Sequence, residues 1–271
     1  MKKVAFLTTI FPTDISYIED FFDSLQKQTY KNFDIIVVND NYKNFEKIKQ
    51  SYSKLSIIEL KYTNCISKNR EYGINYCIKK QYDIIIFGDI DDLFHNNRVE
   101  VSINLLGNND IVINDLSLFN FHGIYEENYI SNRLLNQSTI NYDFIKTKNI
   151  FGLSNTAISL KGVDKIFIPK KIIAVDWYIF SLLIINGAKT IFTNDTTTYY
   201  RQYDNNLIGL KELSINDLKK GIEVKIIHYE YLLKIFDDSI LKEELDRLKN
   251  LTDIQKIKQN KIINPLWWEL I

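Results

Sequence analysis

The sequence predicts an α/β fold: a mixed, mostly parallel sheet flanked by helices, followed by a C-terminal helical extension. Three features support this prediction: apolar runs typical of buried strands, amphipathic segments between those runs, and a change to a charged helical pattern near residue 214. Strands buried on both faces appear as near-continuous apolar runs, and their alternation with helices is typical of parallel sheets. The chain has 271 residues, of which 45% are hydrophobic, enough for one large domain with an appendage.

The first hundred residues alternate between strand and helix patterns. The run FDIIVVND is continuously apolar and then turns polar, which is typical of a strand in a parallel sheet. Asp14 precedes a segment in which Ile15, Ile18 and Phe22 recur on one helical face, so we expect a helix to begin there. Strands are predicted at 3–9, 33–40, 56–60 and 82–87, and further helices at 42–53, 67–80 and 96–106.

Beyond residue 108 the alternation becomes less regular. The segment VDWYIFSLLIING at 175–187 is apolar nearly all round, which indicates a buried helix that ends at Gly187. Residues 116–150 are rich in Asn, Tyr and Phe, and we expect irregular structure there that covers a substrate. Further strands are predicted at 110–115, 153–160 and 189–194.

The C-terminal part of the chain has a different pattern. Ser214 and Asp217 resemble a helix N-cap arrangement, and charged and apolar residues at helical spacing up to about 260 predict two helices. The final stretch NPLWWELI places two tryptophans beside aliphatic residues. We expect these tryptophans to pack onto the domain, because large aromatic side chains bury much area. The alternative is a peripheral membrane or partner contact through these C-terminal residues.

Composition and charge exclude several classes of function. Lys plus Arg and Asp plus Glu are equal at 34 each, so no net field attracts nucleic acid. Cys65 and Cys77 are too few for a zinc site or a disulfide framework, and they fit a reducing compartment. The N-terminal apolar run is too short for a signal peptide, and no stretch reaches the roughly 18 apolar residues of a membrane span. We therefore expect a cytoplasmic protein, with attachment to the inner face of the membrane as a variant of this expectation.

Three aspartates follow a buried strand in the stretch IIIFGDIDDLF. Ligand sites in such sheets lie beyond the carboxyl ends of the strands, where Thr8 and Asp40 end two other predicted strands. One aspartate would satisfy a turn or a helix cap, but Asp89, Asp91 and Asp92 together repel one another and resist burial. A divalent cation that carries a phosphorylated ligand would relieve this repulsion.

Two phosphate chemistries fit this acidic cluster, which comprises Asp89, Asp91 and Asp92. The first is a metal-dependent phosphohydrolase of the haloacid-dehalogenase kind, in which Asp89 and Asp91 would act, although Leu93 stands where that motif has Thr or Val. The second is sugar transfer from a nucleotide diphosphate, in which a metal ion neutralises the departing diphosphate. A third interpretation is a binding or scaffold protein that has lost activity.

Five segments in the right order resemble the family 2 glycosyltransferases of GT-A fold. The opening, from TTIFPTD to NFDIIVVND, is similar to the family's first strand, first helix and acid-ended second strand. NREYGI (69–74) resembles ARNxGI, FGDIDD resembles DxDD, VDWYIFSLLIINGAK resembles (E/H)DWW…G, and YYRQYDNNLIG (199–209) resembles YRQHxNNxxG. The last two segments are especially like bacterial transferases that build surface polysaccharides, including rhamnosyltransferases. The resemblance covers about residues 3–209.

The resemblance implies a Rossmann-like GT-A domain at 1–210, with a nucleotide-binding half at 1–107 and an acceptor-binding half at 108–210. Residues 211–271 then form the helical extension. The implied activity is that of an inverting hexosyl- or deoxyhexosyltransferase in bacterial surface polysaccharide synthesis. It would use a UDP-, dTDP- or GDP-linked sugar donor, a glycan or lipid-linked acceptor, and Mn²⁺ or Mg²⁺, and no nucleic acid.

The family also implies roles for single residues. Asp176 would be the general base, with a plain helix N-cap as the alternative. Trp177 would line the acceptor pocket, with an ordinary core tryptophan as the alternative. Asp91 and Asp92 would bind the metal ion. Binding of the donor is assigned to residues near strand ends and on the two arginine-bearing segments: Thr8, Asp40, Arg70, Asp89, Asp91, Arg201 and Gln202.

Two positions depart from the family pattern. Tyr203 stands where related sequences usually have His, so any contact of that His with metal or phosphate is lost, shared or moved. Glu71 stands where they usually have Asn, and it either pairs with Arg70 or faces away.

Overall fold

The computed structural model describes residues 2–203, 214–251, 262 and 264–271. The strands are β1 (Val4–Ile10), β2 (Asp34–Asn39), β3 (Ser56–Lys61), β4 (Ile84–Phe87), β5 (Leu93–Phe94), β6 (Ile111–Asn120), β7 (Gly123–Glu126), β8 (Thr156–Ser159) and β9 (Thr190–Arg201). The helices are α1 (Ile15–Gln26), α2 (Phe45–Ser51), α3 (Ile66–Lys79), α4 (Arg98–Leu105), α5 (Tyr142–Ile145), α6 (Val175–Ile185), α7 (Ile215–Leu232) and α8 (Ser239–Lys249). The motif residues 204–209 and the predicted helical pattern at 252–260 lie outside the described residues.

The described strands form one sheet in the order β3-β2-β1-β4-β8-β6-β9-β5, with β7 paired to β6. The first four strands of this order pair in parallel, and β8 joins β4 antiparallel. Beyond β8 the pairing is mixed, because β6 and β9 are parallel whereas β8 with β6 and β9 with β5 are antiparallel. The α/β fold class predicted from the sequence is confirmed.

Two apolar clusters, one on each face of the sheet, hold the fold together. Leu7 and Ile36 belong to the cluster that contains Phe180 of α6, whereas Phe6 belongs to the cluster that contains Phe21 of α1. Successive side chains of a strand point to opposite faces, so a strand buried on both faces must be apolar throughout. The continuous apolar runs of β1, β2 and β4 follow from this burial.

Three predicted helix ends are confirmed. The Asp14 carboxylate accepts a hydrogen bond from the Ser16 amide at 2.9 Å and caps α1. Ser214 and Asp217 form a reciprocal capping box at the start of α7. Gly187 follows the end of α6 with a φ of +91°, in the left-handed region that favours glycine.

The segment 116–150 is irregular, as expected, except at its start and at one short helix. Residues 127–141 are turns and coil, whereas strand β6 continues to Asn120 and turns back into β7, and α5 covers four residues. The extension of β6 has a partner, because β6 pairs with β9 as far as Phe119 opposite Arg201. The sequence therefore predicts the irregular part correctly and misses the hairpin.

The C-terminal residues pack onto the domain, as expected. Trp267 is 9% exposed and forms a bridge with Asn149, and the Trp268 ring lies parallel to another buried tryptophan. Arg133 donates two hydrogen bonds to Glu269, one of them at 2.8 Å, and fixes the C-terminal segment to the turn region that follows β7. This burial does not favour membrane contact through the C-terminal tryptophans. No described helix is long and apolar enough to cross a bilayer.

Candidate active site

The carboxyl ends of β1, β2 and β4 lie at one rim of the sheet, and helix α3 is packed close beneath that rim. Gly73 permits this packing, because a Cβ there would lie 2.8 Å from Leu7 Cδ1 and 2.9 Å from Val38 Cγ2. The close approach carries Arg70, one turn earlier on α3, to the ends of the strands. The spacing of three residues between Arg70 and Gly73 therefore determines that Arg70 reaches the site.

Arg70 joins β1 to the acidic cluster. Its Nη1 donates a hydrogen bond to Thr9 Oγ1 at 3.0 Å, and its Nη2 forms an ion pair with Asp89 Oδ1. The side chains of Arg70 and Asp89 are 13% and 30% exposed. The guanidinium thus neutralises the first acid of the cluster and remains partly exposed at the rim, where an anionic ligand could reach it.

Asp92 is the most deeply buried acid of the cluster, at 1% exposure. Its Oδ1 accepts a hydrogen bond from the Arg201 amide at 2.8 Å, but its Oδ2 has no hydrogen-bond partner among the described residues. Burial, followed by the charges of Asp91 and Asp89, raises the pKa of Asp92 well above its usual value. A cation placed against Oδ2 would supply the missing partner and favour the ionised form.

Asp91 is held by the residue that departs from the family pattern. The Tyr203 hydroxyl donates a hydrogen bond to Asp91 Oδ2 at 2.6 Å. Arg201 donates from Nε to the Asp91 carbonyl at 2.7 Å and forms an ion pair with Asp20 at 2.6 Å. Burial, followed by the charge of Asp89, raises the pKa of Asp91. Tyr203 therefore contacts the acidic cluster from the position at which the family usually has His.

Asp176 is the second residue of α6 and lies at the same rim. The N-cap position of α6 belongs to Ala174, so the N-cap alternative for Asp176 is wrong. Its Oδ1 accepts a hydrogen bond from the Trp177 amide at 2.7 Å. Burial raises the pKa of Asp176 to about 7; the charge of Asp89 acts in the same direction, and that of Arg70 opposes it. The structure thus brings Asp176 within electrostatic range of the Arg70–Asp89 pair.

Trp177 lies in the core and does not reach the cleft, which corrects the expectation that it lines an acceptor pocket. The residue is fully buried, and its indole Nε1 donates to the Ile145 carbonyl at 2.8 Å. Its ring stacks on His228 with a centroid distance of 3.9 Å and lies parallel to Trp268. Because these contacts leave no exposed ring face for a sugar, the structure favours the core interpretation.

Three predicted donor-binding residues lie around this centre. Thr8 is fully buried, and its Oγ1 has no hydrogen-bond partner among the described residues, whereas Thr9 makes the contact with Arg70. Asp40 accepts a hydrogen bond from Asn69 Nδ2 at 2.9 Å. Gln202 is 5% exposed, and its amide nitrogen donates to the Arg201 carbonyl at 3.3 Å, so its side chain is engaged with the backbone beside the cluster.

Three buried oxygens near the rim have no hydrogen-bond partner among the described residues: Thr8 Oγ1, Asn69 Oδ1 and Asp92 Oδ2. Unpartnered polar atoms also occur in the core, for example at Ser181 and His228, so it is the position of these three beside the acidic cluster that makes them candidates for ligand contact. A nucleotide with its sugar, phosphates and counter-ion carries the donors and charges that could satisfy such atoms.

Arg98 supports the acidic cluster from below and was not identified from the sequence. It is fully buried, donates from Nε to Asn114 Oδ1 at 3.0 Å, and donates from Nη2 to the Phe87 carbonyl at 2.7 Å. Burial lowers the pKa of Arg98, and the charges of Asp92 and Asp89 oppose that effect. The sequence predicts the helix that Arg98 begins, but nothing in its pattern indicates that this arginine is buried.

A groove of about 700 Å³ lies beyond the ends of β2 and β3, beside Asp40. Its lining comes from residues 39–46 except Asp40, and from Glu59 and residues 61–63. No residue of the acidic cluster lines it, so the groove is separate from the cluster and lies on the side of β2 and β3. The carboxyl ends of parallel strands are the usual place for a ligand in such sheets.

The residues present fit a divalent metal ion that is bound together with a diphosphate. Among the described residues, no group of three or more His, Cys, Asp or Glu side chains forms a metal site by itself. Mg²⁺ often binds through one or two carboxylates plus substrate phosphates, and Asp91 and Asp92 could provide those carboxylates. The orphaned Asp92 Oδ2 is the observation that favours this fit.

Solved structures share this fold. S. aureus TarS 1–349 in complex with UDP-GlcNAc superposes with a TM-score of 0.63 at 16% identity, over 92% of this chain and 72% of that one. The mannosyltransferase PcManGT from Pyrobaculum calidifontis, in complex with GDP-Man and Mn²⁺, has a TM-score of 0.58 at 11% identity and covers 91% of this chain and 68% of its own. These similarities show a GT-A fold.

Sequence comparison agrees with the fold. An uncharacterized glycosyltransferase of Rickettsia typhi is 23% identical over 248 residues, which cover 88% of this chain and 72% of the relative. Residues 11–164 match Glycosyl transferase family 2, and this range includes Arg70 and the acidic cluster. Because the match spans more than half of the residues of this chain, the chain belongs to glycosyl transferase family 2.

Proposed function

We propose that this protein transfers a hexose or deoxyhexose from a nucleotide-diphosphate donor to a glycan or lipid-linked acceptor, with inversion at the anomeric carbon. We place this reaction in the synthesis of a bacterial surface polysaccharide. One observation carries the proposal: Asp176 lies at the same rim as the Arg70–Asp89 ion pair, and its pKa is raised to about 7. An inverting transfer requires a base beside the acceptor hydroxyl and a cation beside the departing diphosphate.

Asp176 would act on the acceptor. Its carboxylate accepts the proton of the acceptor hydroxyl while that oxygen forms a bond to the anomeric carbon, and the bond from this carbon to the diphosphate breaks. General bases work best when their pKa lies near the working pH, and the pKa of Asp176 meets that condition. The partial exposure of this residue is consistent with a carboxylate that an acceptor can reach.

The opposite side of the site would hold the donor. Arg70 would stabilise the charge that develops on the departing diphosphate, because its guanidinium is partly exposed beside the acidic cluster. Asp91 and Asp92 would hold Mn²⁺ or Mg²⁺, which when bound supplies additional positive charge for the same group. Asp40 and the orphaned hydroxyl of Thr8 would contact the nucleoside, consistent with the UDP-GlcNAc and GDP-Man in the structural neighbours.

Nucleotide binding can be tested by thermal unfolding with UDP, dTDP or GDP, each with and without Mn²⁺. A ligand at about 100 times its Kd adds about 2.7 kcal/mol, which for a chain of this size raises Tm by about 5–10 °C. We expect Asp92→Asn to remove the part of this rise that depends on Mn²⁺. The matched control Asp237→Asn changes an exposed carboxylate, 82% accessible, on a different part of the surface and should leave the rise intact. The donor assignment is wrong if none of the three nucleotides raises Tm.

Product stereochemistry separates transfer from the alternative of a phosphohydrolase that uses Asp89 and Asp91. An inverted glycosidic product supports the proposal, whereas a phosphorylated Asp89 trapped during turnover contradicts it. Family membership and the ion pair between Arg70 and Asp89 favour transfer, because Arg70 holds the carboxylate that would have to be the nucleophile.

A further inference from the structure

The segment 161–173, which connects β8 to α6, is a strongly basic part of the surface. Four exposed lysines and one aspartate give it a formal charge of +3, whereas the whole chain has a formal charge of zero. These lysines are Lys161, Lys165, Lys170 and Lys171. The zero net charge of the whole chain therefore does not reveal this local positive charge.

The same surface carries exposed apolar side chains. Phe167 is 64% exposed and Ile173 is 36% exposed, and Ile66 on the adjoining first turn of α3 is 55% exposed. Lys68 Nζ lies 4.5 Å from the centroid of the Phe167 ring, so the two elements form one continuous surface. We call this surface, composed of 161–173 and the first turn of α3, the basic–apolar patch.

Buried residues alternate with the exposed residues of the patch and hold it in a fixed orientation. Ile166, Ile168 and Ile172 are buried in the core. The Ile166 amide donates to Asn75 Oδ1 at 3.0 Å, and the Ile168 amide donates to Glu71 Oε2 at 2.6 Å. Phe167 therefore points outward because both of its neighbours are anchored.

The patch adjoins the acceptor side of the site. Ile173 precedes Asp176 by three residues, and Arg70 lies one turn beyond the first turn of α3. A surface that met this patch would therefore also lie beside the candidate general base.

We propose that the basic–apolar patch docks the protein on an anionic phospholipid surface. The ammonium groups of lysines near such a surface are attracted by its negative potential. Aromatic and aliphatic side chains enter the boundary between the lipid head groups and the acyl chains. A second copy of this chain is a poor occupant, because a two-fold contact would bring the +3 of segment 161–173 against the same charge on the other copy. A nucleic-acid duplex would match the charge, but its outer surface of phosphates would offer no apolar environment to Phe167 and Ile173. The further consequence, that docking presents a lipid-linked acceptor to Asp176, rests on the proposed function.

The charge component can be tested by co-sedimentation of the full chain with phosphatidylcholine vesicles, with and without phosphatidylglycerol. We expect binding only to the anionic vesicles and weaker binding at high salt, because salt screens exposed charges. The double substitution Lys170→Gln and Lys171→Gln should weaken binding about 30-fold, at about fivefold for each lysine. The matched control, Lys219→Gln with Lys220→Gln, removes an adjacent pair of exposed lysines on α7 and should change binding by less than about twofold.

The apolar component needs its own pair of variants. Phe167→Ser should weaken vesicle binding about 10-fold, because part of the ring's transfer free energy is lost. Phe121→Ser is the matched control, since Phe121 is 90% exposed at the turn between β6 and β7, outside the patch. Circular dichroism and thermal unfolding of all four variants would show that the fold is retained.

Three outcomes would overturn the proposal. The wild type fails to bind anionic vesicles, or the control variants weaken binding as much as the patch variants do. In the third, Phe167→Ser has no effect while heparin or RNA competes for the lysines, which would show a site for a soluble polyanion. Vesicle binding requires no sugar donor, so its failure leaves the proposed transfer untouched, and absence of transfer leaves vesicle binding to be judged by itself.

Discussion

Asp176→Asn tests both the proposed base and the effect of its burial on stability. The folded-state pKa of about 7 lies above the ordinary 3.8, so the protein favours the protonated carboxyl. The wild type should therefore lose stability as the pH rises from about 4 to about 7, and the loss should be complete above pH 7. One pKa unit corresponds to about 1.4 kcal/mol, which gives an upper limit of about 4 kcal/mol, and solvent screening of this partly exposed side chain reduces the expected loss to about 2 kcal/mol.

Asp176→Asn removes this charge, so at pH 8 it should be more stable than the wild type by about 2 kcal/mol and at pH 4 it should be nearly equal to it. Urea unfolding across this pH range measures the difference, and Asp143→Asn, at an 81% exposed carboxylate, is the control without a pH-dependent gain. Turnover should fall about 10²–10⁴-fold, while nucleotide affinity is retained. In the wild type, kcat/KM should fall about tenfold per pH unit below pH 7, because only the ionised carboxylate accepts a proton. A pH-independent stability difference, or turnover that survives the substitution, would refute the reasoning.

Further predictions concern the support of the acidic cluster. Gly88→Ala should destabilise the fold by about 1–3 kcal/mol, measured by urea unfolding, because the added Cβ would lie 2.5 Å from the Phe6 ring. Arg98→Lys should cost at least about 2 kcal/mol in the same assay, since one ammonium group cannot reproduce the directed bonds of the guanidinium; a smaller loss would show that its geometry is unimportant. Tyr203→Phe should cost about 2 kcal/mol without ligands, because the bond to ionised Asp91 is lost; an unchanged midpoint would show that this bond contributes nothing.

The parts of the site that follow from local sequence could be predicted. The acidic cluster comes directly after a continuous apolar strand, and Arg70 lies a fixed number of helical residues before a glycine that packs on the sheet. The rule that ligands lie at the carboxyl ends of parallel strands needs only the order of the elements. The order of the elements and the helical spacing are enough to bring Arg70 beside the acidic cluster.

Other parts depend on packing that the sequence does not display. A shift of one residue in a strand reverses which face a side chain reaches, and for this reason Thr9, and not Thr8, contacts Arg70. Trp177 is buried because His228, from a helix about fifty residues later, covers its ring. Arg98 resembles a surface residue of its helix and is recognised as buried only when the sheet lies above it.

The arrangement of Arg70, Arg201 and the acids has a consequence for how a ligand enters. The Arg70 guanidinium is bound to Asp89 and Thr9, and the Arg201 guanidinium is bound to Asp20 and to the Asp91 carbonyl. An arriving diphosphate therefore exchanges partners with groups that are already engaged. Because each bond that the diphosphate gains replaces one that the protein already has, the exchange should release little net heat. Titration calorimetry should then show a smaller binding enthalpy than direct pairing with open charges would give.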